Sequence, residues 1–257
     1  MTPRFLLMPE QLLESARVEL SAEAAHHAVR VLRLSAGAQI QVFDGAGRRA
    51  SATVVRTDRG ECSVEIDALI TTTAATALTV VLLQGIAAAD RMDWIIEKSI
   101  ELGVHSVFPM MTHRSAVKLD PERATKRHQH WQRIAISACM QSGRDQLPTI
   151  EAPSPARATF ARLGANPADT ELAPNTQRLI LDPLAQEGLR QVVQSIDMNQ
   201  RTSWVLAVGP ESGFAPDEIE AAGQAGFKAI RMGPRILRTE TAGPAAIAAL
   251  QALCGDF

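Results

Sequence analysis

Trp204-Val205-Leu206-Ala207-Val208, then Gly209-Pro210-Glu211-Ser212-Gly213-Phe214-Ala215, then Pro216-Asp217-Glu218: an apolar run leads through a glycine-bearing turn into a segment opened by proline and two acids. Five consecutive apolar residues suit a strand covered on both faces. Proline at a first helical position forfeits no hydrogen bond, and acids in the first turn complement the helix dipole, so the pattern predicts a helix over 216–225. Strand, loop and helix in that order are one unit of an α/β fold. Two glycines close together let the backbone approach a ligand, although an ordinary strand-to-helix turn looks the same. The spacing is neither a dinucleotide fingerprint nor a P-loop, so it gives no support to dinucleotide binding or nucleotide hydrolysis.

The same grammar extends both ways. Strands are predicted at 78–83, 106–109, 178–181, 204–208 and 229–232, alternating with helices over 90–102, 121–140, 185–195, 216–225 and 242–253. Such alternation predicts a parallel sheet with helices on both faces. Residues 143–177 carry Pro148, Pro153, Pro155, Pro167 and Pro174 with little periodicity, and read as an irregular surface excursion. In open parallel sheets ligands lie beyond the carboxyl ends of the strands, which directs attention to the loops after the strands at 178, 204 and 229.

The last of these loops is Met232-Gly233-Pro234-Arg235-Ile236-Leu237-Arg238-Thr239-Glu240-Thr241-Ala242-Gly243-Pro244. Pro244 fits a helix's first turn, so the final helix is predicted to begin at 241–243, capped by Thr239 or Thr241, leaving 233–240 as loop. Ile236 and Leu237, flanked by arginines, need cover. An adenine ring, another subunit or the domain's own core would each provide it.

Residues 1–72 read differently. Gln39–Phe43, Ala52–Val55 and Cys62–Ile66 are short strands separated by Asp44-Gly45 and Asp58-Arg59-Gly60 turns. One helix, capped by Ser21, places Ala25, Ala28, Val29 and Leu32 on one face and ends near Gly37. A small β-barrel carrying one helix is expected. The low-complexity run Thr71–Ala77 is the predicted linker, dividing the chain into 1–72 and 73–257.

With a net charge of -2, the 257-residue chain has no global positive field, so any nucleic-acid site must be a local patch. Met110–Asp145 is one candidate, with Arg114, Lys118, Arg123, Lys126, Arg127, Arg133 and Arg144 against three acids; a solvated helix face has the same look. His26, His27, Arg30 and Arg33 form a smaller cluster. Cys62, Cys139 and Cys254 lie far apart without metal-ligand spacing, so no metal is expected. The N-terminus lacks a signal-peptide pattern and no apolar run reaches bilayer length, which predicts a cytoplasmic protein without membrane attachment.

Taken in order, HHAVRVLRLSAG (26–37), DRMDWIIEKSIELGV (90–104), ACMQSGRDQLP (138–148), VGPESGF (208–214) and RMGPRILRTETA (231–242) resemble the RsmE family of 16S rRNA uracil N3-methyltransferases, within the SPOUT superfamily. The five blocks cover nearly the whole chain. The resemblance implies a PUA-like N-terminal β-barrel that holds RNA and a C-terminal domain with a deep trefoil knot. It also implies a homodimer packed through that knot. The implied substrate is one uridine of 16S rRNA, within the 30S subunit. S-adenosyl-L-methionine would lie against Leu181, Asp182, Gly209, Pro210, Glu211, Met232, Gly233, Ile236, Leu237 and Arg238. RNA contacts are expected from His27, Arg30, Arg33, Arg114 and Arg144.

Uracil N3 carries a proton and becomes nucleophilic once it leaves, so the site needs a base or a cation that stabilises the anion. Arg238 is the candidate cation, and Glu240 and Glu211 are the candidate bases. Glu240 could instead merely favour the helix N-terminus and pair with Arg238. Two departures stand out: Ser212 where relatives usually carry glycine, and Ala88 where many have a basic residue nearby. Ser212 is the one feature favouring a non-catalytic RNA-binding factor; a knotted methyltransferase with a ribose target is the other alternative.

Overall fold

The computed structural model of the chain describes residues 2–58, 60–71, 78–164, 172–197 and 202–257. The chain divides into two compact units, residues 1–74 with 136–147, and 75–135 with 148–257. Residues 72–77 of the predicted linker lie outside the described residues; Thr71 closes a strand.

The first unit holds five strands: β1 (Arg4–Leu6), β2 (Arg17–Glu19), β3 (Gln39–Phe43), β4 (Arg48–Asp58) and β5 (Glu61–Thr71). Their order is β1-β3-β4-β5-β2, with β1 parallel to β3 and the other pairs antiparallel. Alternation along β4 and β5 puts Ala50, Ala52, Val54, Val64 and Ile66 into one core with Phe5, Leu12, Ile40 and Val42. The helix α1 (Ala22–His26) starts where predicted: the Ser21 hydroxyl accepts from the Ala24 N–H at 3.3 Å. It continues as a wider π-helical turn, His27–Val31. That turn breaks the regular angular step, so Ala25 and Ala28 are buried as expected while Leu32 turns outward, 40% exposed.

The second unit contains β6 (Thr79–Gly85), α2 (Ala89–Glu101), β7 (Ser106–Met111), α3 (Pro121–Ser142), β8 (Thr149–Ile150), β9 (Ser154–Pro155), α4 (Ala156–Gly164), β10 (Asn175–Leu181), α5 (Leu189–Gln194), β11 (Thr202–Val208), α6 (Pro216–Gln224), β12 (Lys228–Ile230) and α7 (Thr239–Cys254), the last turns of α3 being grouped with the first unit. The seven strands are parallel, in the order β12-β10-β11-β6-β7-β8, with β9 on β7. β6 and β11 are buried throughout, and their apolar stretches Val80–Leu83 and Trp204–Val208 suit cover on both faces. Val81, Leu83, Val205 and Ala207 face α4 and α6, and Leu82, on the opposite pleat, meets Gly243 of α7.

Three expectations are corrected. The stretch 143–177 is no irregular surface excursion, because it supplies β8, β9, α4 and the start of β10. Ala156, Thr159, Phe160 and Leu163 form a buried helical stripe, and Phe160 packs edge-on against Phe214 and Phe227 at 5.8 and 5.2 Å. The helix expected over 185–195 begins only at Leu189, because Asp182 Oδ1 accepts from the Leu184 N–H and holds the preceding segment in a turn. The last helix begins at Thr239, not 241–243: the Arg238 carbonyl accepts from the Thr241 and Ala242 N–H groups, both at 2.9 Å. Pro244 is thus inside the helix. The single bond it removes falls on the Glu240 carbonyl, one turn from the end, and burial of Gly243 and Pro244 offsets the loss.

Candidate active site

Three loops meet beyond the carboxyl ends of the neighbouring strands β12, β10 and β11: 182–188 after β10, 209–215 after β11, and 231–238 after the edge strand β12. With the first turns of α2 and α7 they enclose a cleft of about 500 Å³. Leu181, Asp182, Gly209, Pro210, Glu211, Met232, Gly233, Ile236, Leu237, Arg238 and Glu240 all line it. Ile236 is 81% exposed, so it does not plug the domain's own core; Leu237 is half-buried.

The 209–213 loop is a tight turn closed by the Gly213 N–H donating to the Pro210 carbonyl at 2.8 Å. Gly213 adopts φ +67°, the left-handed region that favours glycine. A side chain on Gly209 would sit 3.1 Å from Gly213 Cα. Ser212 is not among the residues with positive φ, so serine in place of glycine strains nothing. Beneath the loop, Thr239 donates its hydroxyl to the Gly209 carbonyl at 2.6 Å and accepts from the buried Gln84 amide at 3.0 Å. Thr239 therefore ties α7 to the loop and does not cap its own helix.

The carboxylates differ in surroundings. Glu211 Oε1 accepts from the Ala88 N–H at 3.0 Å and from Arg91 Nη1 at 2.9 Å. Burial pushes its pKa up, but the N–H groups of Ala88 and Glu211 itself, with the Arg91 guanidinium, outweigh that and hold the carboxyl below its ordinary value. The stability this tie contributes is fully present above the ordinary carboxylate range and fades as pH falls through the lowered folded-state value. Glu240 Oε1 lies 3.9 Å from Arg91 Nε, while its Oε2 is sealed from solvent without a donor. The expected Glu240–Arg238 pair gives way to Glu240–Arg91. Arg238 is exposed, and among the described residues no carboxylate lies within ion-pairing distance of it.

Four residues here escaped sequence reasoning. Gln84 interrupts the apolar run of β6, and Thr239 was assigned only a capping role. Arg91 is a cation in a helix's first turn, where the dipole disfavours it, and that anomaly was visible. Gly85 leaves room for the 209–213 loop: a Cβ on it would lie 2.6 Å from both Cδ and N of Pro210. Its φ is not in the left-handed region, so the Gly85→Ala penalty is steric alone. The expected outcome is about 1–3 kcal/mol of strain and a loss of ligand affinity of about tenfold or more. Thermal melting and ligand titration of the variant check both.

The expected RNA-contacting residues divide between the units. His27 is half-buried with its ring edge-on to Phe5 at 6.2 Å, and Arg30 and Arg33 are exposed, Arg33 at φ +55°. Arg144 is half-buried, and its carbonyl accepts from Arg4 at 3.4 Å. Arg114 is exposed in the second unit. Much of the basic stretch on α3 is engaged locally: Lys126 pairs with Glu122 at 2.6 Å and Arg123 with Asp120 at 3.4 Å, while His130 and Trp131 both bond Asp93. That half of the patch is a self-neutralised helix face.

Residues 74–251 match the family model of the RNA methyltransferase domain. The chain belongs to the RNA methyltransferase family. Residues 20–67, which hold α1, β3, β4 and most of β5 of the first unit, match the PUA domain of RNA methyltransferases. Curated relatives named ribosomal RNA small subunit methyltransferase E include one from Buchnera aphidicola, 30% identical over 93% of this chain and 88% of its own. Another, from Bacillus subtilis, is 27% identical over 95% and 93%. Among solved structures, the Neisseria gonorrhoeae methyltransferase E bound to S-adenosyl methionine matches with TM-score 0.86 and 36% identity, covering 100% of both chains. A methyltransferase from Legionella pneumophila, in complex with the same cofactor, matches with TM-score 0.88 and 32% identity, again over 100% of both. No helix among the described residues of this methyltransferase is long and apolar enough to cross a membrane.

Proposed function

We propose that this enzyme transfers a methyl group from S-adenosylmethionine to N3 of one uridine in 16S rRNA, the position numbered 1498 in its family. One observation carries the reading: the cleft formed by the three loops lies in a chain that matches cofactor-bound methyltransferases over its full length. The residues fit the cofactor. The cleft volume of about 500 Å³ is in the range of small-molecule sites. A Cβ on Gly209 would crowd the backbone of Gly213 and Phe214 at 3.1–3.2 Å, so glycine lets this wall close tightly, and the loops present backbone and apolar side chains to the cleft for a nucleoside.

Gly209, Pro210, Met232, Gly233, Ile236 and Leu237 would hold the nucleoside portion, with Leu181 and Asp182 closing one side. When bound, S-adenosylmethionine supplies a methyl carbon made electrophilic by a positively charged sulfur. The remaining work falls to this chain's side chains. The N3 proton must leave before its electron pair can form the new N–C bond, as the C–S bond breaks and its pair stays on sulfur. Arg238 stabilises the uracil anion. Glu240, which lines the cleft and whose Oε1 has, among the described residues, only the 3.9 Å approach of Arg91 beside it, is the stronger candidate to accept the proton. Glu211 already holds two donors at lowered pKa, which suits a structural tie better than a base. His27, Arg30, Arg33, Arg114 and Arg144 are assigned to the RNA backbone, which must present a base turned out of its stack.

The proposal includes the knot, a homodimer, a 30S substrate and a cytoplasmic site of action. Its support is family membership, the Thr239 link from α7 to the loop of β11, and the exposure of Leu184 (84%), Ile236 (81%) and Leu253 (42%). These apolar side chains suit cover by a second copy. The non-catalytic alternative rested on Ser212, which the loop accommodates without strain. Mapping methyl groups on 16S rRNA from a strain lacking the gene tests the function. The expected result is loss of one methyl at N3 of that uridine, restored by the gene in trans; an unaltered methyl, or one lost from a ribose, overturns it.

A further inference from the structure

Arg91 reaches across the cleft from the head of α2 to two other walls. Its guanidinium lies 2.9 Å from Glu211 in the loop after β11 and 3.9 Å from Glu240 in the first turn of α7. Glu211 in turn accepts from the N–H of Ala88, the N-cap position of α2, which has no capping side chain of its own. A carboxylate from a distant loop thus does for α2 what a capping-box glutamate does within its own helix. Among the described residues, Arg91 is the cation within ion-pairing distance of both carboxylates.

We infer that Arg91 is a positioning residue: it locks the 209–213 loop and the start of α7 to the head of α2, and so fixes the cleft in the shape that receives the cofactor. This rests on the methyltransferase reading. Placing a cation in the first turn of a helix opposes the dipole, and the two carboxylates offset that cost. The planar fork suits this double contact; lysine, a point charge on a flexible stem, keeps the charge and part of the reach.

The test compares wild type, Arg91→Ala, Arg91→Lys, Glu211→Gln and the Arg91→Ala/Glu211→Gln double variant by S-adenosylmethionine calorimetry and by methylation kinetics, with circular dichroism confirming the fold. Arg91→Ala and Glu211→Gln are each expected to weaken cofactor binding by about tenfold, and the double variant by no more than the worse single. Arg91→Lys should stay within about threefold of wild type, because the charge is retained. In Glu211→Gln, whose side chain is tied to Arg91 and Ala88, the kinetic loss should fall in KM for the cofactor and leave kcat little changed. Wild-type affinity in Arg91→Ala, losses that multiply in the double variant, or a fall in kcat at unchanged affinity in Glu211→Gln would each overturn the assignment. Failure of the underlying reading would look different: the wild-type protein itself would take up no cofactor.

Discussion

Arg238→Ala should lower the rate of methyl transfer by about 10²- to 10³-fold, while the protein still folds and still binds S-adenosylmethionine within a few-fold of wild type. The structure separates the two roles of this residue. Its backbone carbonyl anchors the first turn of α7, accepting from Thr241 and Ala242, and truncating the side chain leaves that intact. Its guanidinium is exposed at the rim of the cleft, uncommitted to any carboxylate among the described residues, and is therefore available to a developing anion. The charge that forms on uracil when N3 loses its proton is such an anion. Single-turnover rates on rRNA, with calorimetry on the same samples, decide the matter. An unchanged rate removes Arg238 from the chemistry, and a loss confined to cofactor affinity makes it part of the cofactor site instead.

Asp145→Ala should destabilise the first unit by about 3–5 kcal/mol, because it strands a buried cation. Arg4 and Asp145 form an ion pair with side chains only 5% and 6% exposed. Asp145 Oδ2 also lies 3.4 Å from Arg49. Without Asp145 the Arg4 guanidinium keeps long contacts to the Cys139 and Arg144 carbonyls, both at 3.4 Å, and the face of Phe43 at 4.8 Å. Its Nε has no acceptor even with the pair intact. Denaturant unfolding of the variant measures the effect; a change below about 1 kcal/mol would mean that water reaches and solvates Arg4.

That pair also marks where reading by sequence stops. Arg4 and Asp145 are 141 positions apart, and neither periodicity nor turn chemistry relates them. The grouping of 136–147 with the first unit was invisible for the same reason. Arg91 and Glu211, 120 positions apart, present the same problem, although the misplaced charge on α2 was a clue. Strands β1 and β2 have three residues each, too few for alternation to register. Prolines masked α4, whose stripe from Ala156 to Leu163 was legible by itself.

What could be read was set by burial and local turn chemistry. β6 and β11, covered on both faces, carry the apolar stretches Val80–Leu83 and Trp204–Val208, and the alternation of such stretches with helices pointed to the parallel sheet. Its carboxyl ends then located the loops, and each residue that the family resemblance implies for the cofactor lines the cleft. Pro244 points to a later start for α7 than Thr239, because the buried packing that tolerates a proline inside the helix leaves no mark in the sequence.

The proposed receptor for S-adenosylmethionine is built from the loops around Gly209 and Gly233. Calorimetric titration of the purified, folded protein with that cofactor tests it most directly. Saturable uptake with measurable heat, weakened in Gly85→Ala, is the predicted result. A flat titration of protein whose fold is verified by circular dichroism would contradict it.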